Sequence, residues 1–428
     1  MPGDDLVDRI WEGYFVYSKY MLKNIVIIND YAHINGGAGQ VALASAIGLA
    51  KRNHRVSVLA AVGPVMEALQ HSSAKVIITG QCDILNDPNM LRAATQGLWN
   101  VKARKTMTAL LASLDPSSTI IHIHSWTKAL SSSVIRVAIK KGFRVVCTLH
   151  DYFVACPNGG FFDYQRKVSC SEEPLSIACL LKNCDARSYL QKLWRAARQE
   201  VQCTLGLIPS GINHFITISD FSETLLKPFV PRNAVVYRIE NPVNIDRQSY
   251  LPSLKSDIFS YVGRLSQEKG VKLFAKAAKQ MGLSPVFVGA GECEKSVKAI
   301  CPKAKITGWV SSESVVEYIK ASRALVLPSL WYETQGLVVA EAAALGVPAI
   351  VPDNCAARDM VTDGKTGLWF QSGNLDDLCQ KMKILMDSAT AEQMGKFAYD
   401  KYWQSPNTLD KHIDRLEYCY EDILHSSS

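Results

Sequence analysis

The sequence has no apolar run approaching the ~18 residues that a membrane-spanning helix needs, which excludes an integral helical membrane protein. It contains no D-x-D motif, so it offers no obvious acidic clamp for a metal-bound diphosphate. Its 12 cysteines include no C-x2-C pair, the knuckle of most structural zinc sites. It has no nucleic-acid recognition motif and no basic run interleaved with aromatics, so nucleic acid is not an expected partner. No repeat of solenoid length is visible. The first residues carry Asp4, Asp5, Asp8 and Glu12, the wrong sign for a secretory signal. A cytoplasmic location with reduced thiols is the expectation.

What is present is ordinary globular composition: 428 residues, 48% apolar and 20% charged. At ~100–200 residues per domain, that length suggests two or three domains. The net charge of +7 is uneven: residues 1–210 hold 23 Lys+Arg against 15 Asp+Glu, and residues 211–428 hold 24 against 25. The basic half suggests an anionic partner, a membrane surface or a phosphate, with ordinary solvated surface as the plain alternative. Short apolar runs alternate with helix-length segments. They lie at 24–29, 55–60, 75–79, 119–124, 144–149 and 214–219, then at 258–263, 285–289, 304–308, 324–328 and 349–352. Two such series predict an α/β chain of two doubly wound, parallel-sheet, Rossmann-like domains. The expected boundaries are an extension at 1–21, with Met21 as an alternative start, and a first domain at 22–240. A linker at 241–256 follows Asn241-Pro242, then come a second domain at 257–395 and helices at 396–428. Those last helices must pack on an existing domain or cross back to the first.

Chemistry gathers where strands end. Asn29 to Gly39 is a glycine-bearing loop ahead of a helix predicted at 40–51. Gly36 and Gly37 let a backbone approach a ligand, and the helix start favours a phosphate. No third fingerprint glycine follows, so a dinucleotide site is poorly supported. A cradle for phosphate or sugar and a simple tight turn both remain open. In the second half, Gly263-Arg264 and Lys269-Gly270 put two cations at the end of a strand, suited to gripping a diphosphate. Further on, Glu333 precedes a helix and Glu341 lies about a turn inside it, so they share no helical face. The amides of Thr334, Gln335, Gly336, Leu337 and Val338 point at whatever occupies that helix start. Singly, Glu341 reads as a surface carboxylate, and Arg264 or Lys269 as an ion pair with Glu268. Together at strand ends of one sheet, they read as a site.

This constellation resembles the retaining GT-B glycosyltransferases of the group 1 family, glycosyltransferase family 4. The resemblance runs from Lys23 to about Tyr418. It rests on Gly36-Gly37, Thr148-Leu-His150, Gly263-Arg264 with Lys269-Gly270, Pro328-Ser329, Glu333 and Glu341 with Gly336, and Gly346-Val-Pro348. It implies an acceptor-binding first domain and a nucleotide-sugar-binding second domain facing a central cleft. Arg264 and Lys269 would neutralise the departing UDP or GDP. Glu333 would contact the donor hexose and Glu341 the ribose. Backbone around Gly308 and Val310 would meet the base, and His150 would sit by the transferred sugar. Gly36 and Gly37 would shape the cleft floor. The implied task is transfer of a hexose, with retention, to a glycan or polyprenyl-diphosphate-linked acceptor at the inner face of the membrane, with no metal cofactor. Many relatives carry an aromatic or small residue where Gln335 stands, which puts the hexose pocket in question. A nucleotide-sugar 2-epimerase and a non-catalytic sugar-nucleotide-binding subunit are the alternatives.

Three further features stand apart. His122 and His124 share one face of a strand, His122 as a core residue and His124 within reach of the cleft. Cys156, Cys170, Cys179 and Cys184 cluster after His150, and their spacing favours small buried thiols over a structural metal. Residues 187–198 read as an amphipathic helix. Leu190, Leu193, Trp194 and Ala197 would form one face and Lys192, Arg195 and Arg198 the other; a domain helix whose apolar face meets the sheet is the favoured reading, and a helix for an anionic membrane surface the alternative.

Overall fold

The computed structural model describes residues 23–250 and 256–426. The expected extension at 1–21 and part of the linker, 251–255, lie outside the described residues. The strands are β1 (Asn24–Ile28), β2 (Arg55–Ala60), β3 (Lys75–Ile78), β4 (Thr119–Ile123), β5 (Arg144–Thr148), β6 (Phe162–Asp163), β7 (Val168–Ser169), β8 (His214–Thr217) and β9 (Val235–Arg238). The second half adds β10 (Phe259–Val262), β11 (Val286–Val288), β12 (Lys305–Ile306), β13 (Ala324–Val326), β14 (Ala349–Pro352) and β15 (Gly367–Phe370). They form a seven-stranded sheet, β3-β2-β1-β4-β5-β8-β9, and a six-stranded sheet, β12-β11-β10-β13-β14-β15, with β6 and β7 as a small antiparallel pair. Every ladder in the two large sheets is parallel. The chain is therefore a two-domain GT-B fold.

Uninterrupted apolar strands make this arrangement stable, because both faces of each sheet are covered. In β1, Val26 and Ile28 join a core with Ala103, Met107 and Ile135, while Ile25 and Ile27 join another with Leu43, Leu49 and Leu416. In β13, Val326 packs with Phe274 and Phe287, and its neighbour Leu325 packs with Val339 and Val347. Burying each such side chain stabilises the fold by roughly 1.5–3 kcal/mol.

Besides the two-residue strands β6 and β7, two strands of the large sheets escaped the sequence reading. β9 is an edge strand whose Val235 is exposed and whose last residue is Arg238, so it lacks a buried apolar run. β15 opens on Gly367, where a Cβ would stand 2.2 Å from the Ala349 carbonyl oxygen. The glycine that permits the pairing also hides it.

The C-terminal helices cross between domains. Helix Ser388–Gln404 packs on helix Leu337–Ala344, with Trp403 Nε1 donating to the Ala344 carbonyl at 3.0 Å. Helix Leu409–His425 then packs on helix Gly37–Lys51 of the first domain. Ile413 fits against Gly48, where a Cβ would stand 2.8 Å away. Lys23–Glu421 at 2.8 Å and Arg52–Glu417 at 2.6 Å hold its outer face. Beside the crossing, Val243 N donates to the Asn407 carbonyl at 2.8 Å, so both interdomain segments run together. Among the described residues no helix is long and apolar enough to cross a membrane.

Candidate active site

In an open parallel sheet the ligand crevice lies at the carboxyl ends of strands where their order reverses. Here those points are β1/β4 in the first sheet and β10/β13 in the second. The loop with Gly36 follows β1, His124 follows β4, Arg264 follows β10 and Glu333 follows β13. Topology thus turns residues nearly 300 positions apart in sequence toward one cleft.

Two helix starts face each other there. Gly36, at φ 93°, precedes helix Gly37–Lys51, and Gly336, at φ 84°, precedes helix Leu337–Ala344. Neither helix has a side-chain cap, so its first amides stay free for an anion. The helix begins at Gly37, not at residue 40 as the sequence suggested. A Cβ on Gly37 would lie 3.9 Å from Leu337 Cδ1, which puts the two starts against each other across the cleft. Thr334 Oγ1 donates to the His150 carbonyl at 2.9 Å, and Ser169 Oγ to the Leu330 carbonyl at 3.2 Å. Val338 is half-buried within the first turn, and Gln335 is buried with Oε1 unpartnered.

The cations do not share one partner. Arg264 donates to Glu268 Oε1 at 2.7 Å, matching the plain ion-pair alternative, and its side chain remains 63% exposed. Lys269 instead pairs with Glu333 Oε1 at 2.6 Å and stands 4.9 Å from the Trp331 ring centroid. Glu333 is buried and also accepts from Ser329 Oγ at 2.6 Å. Burial alone would raise its pKa, but Lys269 and the Ser329 hydroxyl outweigh that and hold it below the ordinary carboxylate value. The Glu341 carboxyl has no ion-pair or hydrogen-bond partner among the described residues, and burial pushes it up to about 6. It is therefore an unpaired acceptor. Val310 follows the exposed Trp309 just beyond the edge strand β12, far in sequence from the Lys269–Glu333 pair.

On the first-domain side, His150 is buried, and its Nε2 shares a 2.9 Å hydrogen bond with His124 Nδ1. Burial pushes His150 down to about 3 and His124 well below its ordinary value, so both rings are neutral near pH 7. His122 behaves as a core residue, bonded to Tyr420 Oη at 2.6 Å and Thr148 Oγ1 at 2.7 Å. Sequence reading missed Asp151, half-buried beside His150, whose carboxyl burial pushes up to about 6. It also missed Trp331, whose ring meets Tyr152 edge-on at 6.5 Å. The His-Asp-Tyr tripeptide was the available signal for Asp151; nothing local marked Trp331.

The expected faces of the helix near 187–198 are corrected. Helix Tyr189–Thr204 buries Lys192 and Arg198 and turns Leu190 outward, 78% exposed. Arg195 lies 2.7 Å from Asp185. Arg198 stacks over Phe153 at 5.0 Å and donates to the Thr127 and Pro157 carbonyls, bracing the loop after His150. Lys192 Nζ donates to Cys179 Sγ at 3.2 Å, and Asn158 Nδ2 contacts Cys184 Sγ at 3.1 Å. The cations are thus structural, used to satisfy buried carbonyls and sulfurs that an amphipathic pattern cannot reveal. Cys156, Cys170, Cys179 and Cys184 are all free, and among the described residues no His/Cys/Asp/Glu group is arranged to hold a metal ion.

Known proteins share this fold. A model of glycosyltransferase family 4 matches residues 35–247, and a model of the glycosyl transferases group 1 matches residues 243–401. A GDP-mannose-dependent alpha-mannosyltransferase of Corynebacterium glutamicum is 29% identical over 164 residues, 37% of this chain and 40% of that one. A UDP-Gal:alpha-D-GlcNAc-diphosphoundecaprenol alpha-1,3-galactosyltransferase of Escherichia coli is 28% identical over 183 residues, 40% of this chain and 46% of that one. The chain spans less than half the length of these two relatives. Sucrose-phosphate synthase from Thermosynechococcus elongatus shares the fold, with a TM-score of 0.70 at 18% identity over 95% of this chain and 100% of that one. The two family matches run on from one another through both sheets and across the cleft between them, and the chain belongs to the group 1 glycosyltransferases, glycosyltransferase family 4.

Proposed function

We propose that the protein transfers a hexose from UDP- or GDP-sugar to a glycan or polyprenyl-diphosphate-linked acceptor, with retention of anomeric configuration and without a metal. The observation that carries this reading is the pair of uncapped helix starts facing each other beside the Lys269–Glu333 pair. The donor diphosphate would sit at the start of helix Leu337–Ala344, where Leu337 and Val338 amides meet its oxygens. Arg264, exposed, and Lys269, at the cleft floor, would add fixed positive charge. As Lys269 turns to the diphosphate, it leaves Glu333, whose carboxylate then accepts from hexose hydroxyls. Glu341 would accept from the ribose hydroxyls, and backbone around Gly308 and Val310 would meet the base.

The anomeric C–O bond to the diphosphate breaks, and the acceptor oxygen bonds to the same face of that carbon. The departing phosphate oxygen takes the acceptor hydroxyl's proton, so no separate base is required. His150, neutral, would hold a hydroxyl of the transferred sugar as donor or acceptor. The surface-polysaccharide setting and a position on the inner membrane face come from the family and from the basic first half. The names of the two relatives, one using GDP-mannose and one UDP-Gal on a diphosphoundecaprenol acceptor, support the donor and acceptor classes. The test is incubation of purified protein with UDP- and GDP-hexoses and a lipid-diphosphate sugar acceptor, with product anomers resolved by NMR. An inverted product refutes retention. Isomerised donor without acceptor turnover refutes transfer in favour of an epimerase.

A further inference from the structure

His150 does not stand alone on the first-domain side of the cleft. Strands β4 and β5 run side by side, with Ile123 beside Cys147, and the loops that follow them carry His124 and His150. The two rings lie 22° from parallel and share the 2.9 Å bond between His124 Nδ1 and His150 Nε2. Their remaining nitrogens differ. His124 is 3% exposed, and its Nε2 is closed off from solvent with no partner. His150 keeps 9% of its surface, and with Nε2 taken, Nδ1 is the nitrogen it has left to offer a ligand. The His124 ring rests in turn on His122, with centroids 4.0 Å apart. His122 is pinned at both nitrogens, by Tyr420 of the C-terminal helix and by Thr148 of β5. The platform under His150 is therefore rigid.

Burial keeps both rings neutral near pH 7, so the bond between them has two possible senses. If His150 Nε2 donated, His124 would carry its own proton on Nε2, a buried N–H with no acceptor. If His124 Nδ1 donates, His124 Nε2 is a bare lone pair, and the fault is only an unused acceptor. A buried orphan N–H is the rarer of the two faults in folded proteins. The opposite wall favours the same sense. Glu333 is held ionised and can only accept, so a hexose hydroxyl that donates to Glu333 has its oxygen free for a donor. We infer that His124 is a positioning residue: it donates from Nδ1 to His150 Nε2 and so holds His150 in the tautomer that offers Nδ1–H to an oxygen of the transferred sugar. The ligand in this inference rests on the transferase reading; the tautomer rests on the two rings alone.

The test is NMR of the full chain with isotopically labelled histidine, at pH 7 and without donor, where protonated and bare ring nitrogens resonate far apart. His124→Asn and His150→Asn each delete one ring's signals and so assign the pair. Both rings of the parent should show Nδ1 protonated and Nε2 bare. His124→Phe keeps a ring but removes the bond, so it should release His150 into the other tautomer or a mixture. Transfer should then fall on the order of tenfold, the scale of losing a partner that fixes a histidine's tautomer. His124→Asn, whose amide can donate from the place of Nδ1, should keep His150 in the parent tautomer and retain most of the transfer. Packing alone predicts the reverse order, because Asn fills less of the buried site than Phe. A parent spectrum with both Nε2 atoms protonated overturns the proposal. So does a Phe variant with the parent's tautomer and rate, or an Asn variant poorer than the Phe one. Should the Phe variant not fold, the parent spectrum and the Asn variant still decide. The spectra need no substrate, so the proposal stands or falls on them even if no protein transfers sugar, a result that counts against the transferase reading.

Discussion

Replacing Lys269 by Met should do two separable kinds of damage. Its Nζ lies 2.6 Å from Glu333 Oε1, with the two side chains 20% and 7% exposed. Without it, the Glu333 carboxylate keeps Ser329 as its strongest neutral partner in a buried site. Removing one member of a buried pair costs about 3–5 kcal/mol. The remaining exposure and the Ser329 hydroxyl put this case near the lower end, about 3 kcal/mol. For a domain of this size that is a fall of about 6–12 °C in thermal midpoint. The pH dependence carries the signature. In the parent, Glu333 titrates below its unfolded value, so its contribution is present above that value and lost as pH falls through the folded one. In the variant, burial acts without Lys269 and raises the folded pKa. The deficit should therefore be largest at pH 7 and above and shrink as pH falls toward 4.5, the ordinary value of the group. Adding Glu333→Gln should recover most of the stability, because no charge is then stranded, while transfer stays lost. Urea unfolding of the three proteins at two pH values measures all of this. A single variant within about 0.5 kcal/mol of the parent, flat with pH and unaffected by the second change, would refute the buried pair.

Arg264→Ala should lower turnover by roughly 10²–10³-fold through lost charge on the leaving diphosphate, with a smaller loss of stability than Lys269→Met, because the Arg264 side chain is 63% exposed and the buried Glu268 keeps the Ser266 hydroxyl as a donor; near-full activity would place the diphosphate elsewhere. Glu341→Gln should weaken UDP or GDP binding, measured by calorimetry. In the parent, affinity should rise with pH through about 6, where the carboxyl ionises and becomes a pure acceptor; a flat profile in the parent would contradict the ribose role. Activity should survive EDTA, and loss restored by Mg²⁺ or Mn²⁺ would show that an ion serves the diphosphate. Gly270→Ala should leave the second domain misfolded or insoluble, since φ is 67° and the Cβ would stand 1.8 Å from the Pro328 carbonyl oxygen; a soluble, stable product would mean that the loop relaxes.

Local order in the chain was enough for the two parallel sheets, because a strand buried on both faces must be apolar throughout, as in β1 and β5. The strand-end glycines and the Glu333 and Glu341 spacing were legible for the same reason: backbone approach and helix starts are local properties. Pairing across space was not. Lys269 sits 64 residues from Glu333, and His124 meets His150 from the next strand, so only β-strand register brings either pair within hydrogen-bond reach. The edge strand β9 lacked the apolar run that exposes its neighbours, and β15 begins on the glycine its pairing demands. The inversion of helix Tyr189–Thr204 has the clearest physical cause. Periodicity separates apolar from basic side chains but does not say which set meets the protein. Buried carbonyls at Thr127 and Pro157 and the sulfur of Cys179 draw Arg198 and Lys192 inward, and Leu190 is left facing out. The sequence by itself determined the layers and the positions where chemistry can sit; which partner each charged side chain takes was decided only when the sheets and the crossing C-terminal helix set their distances.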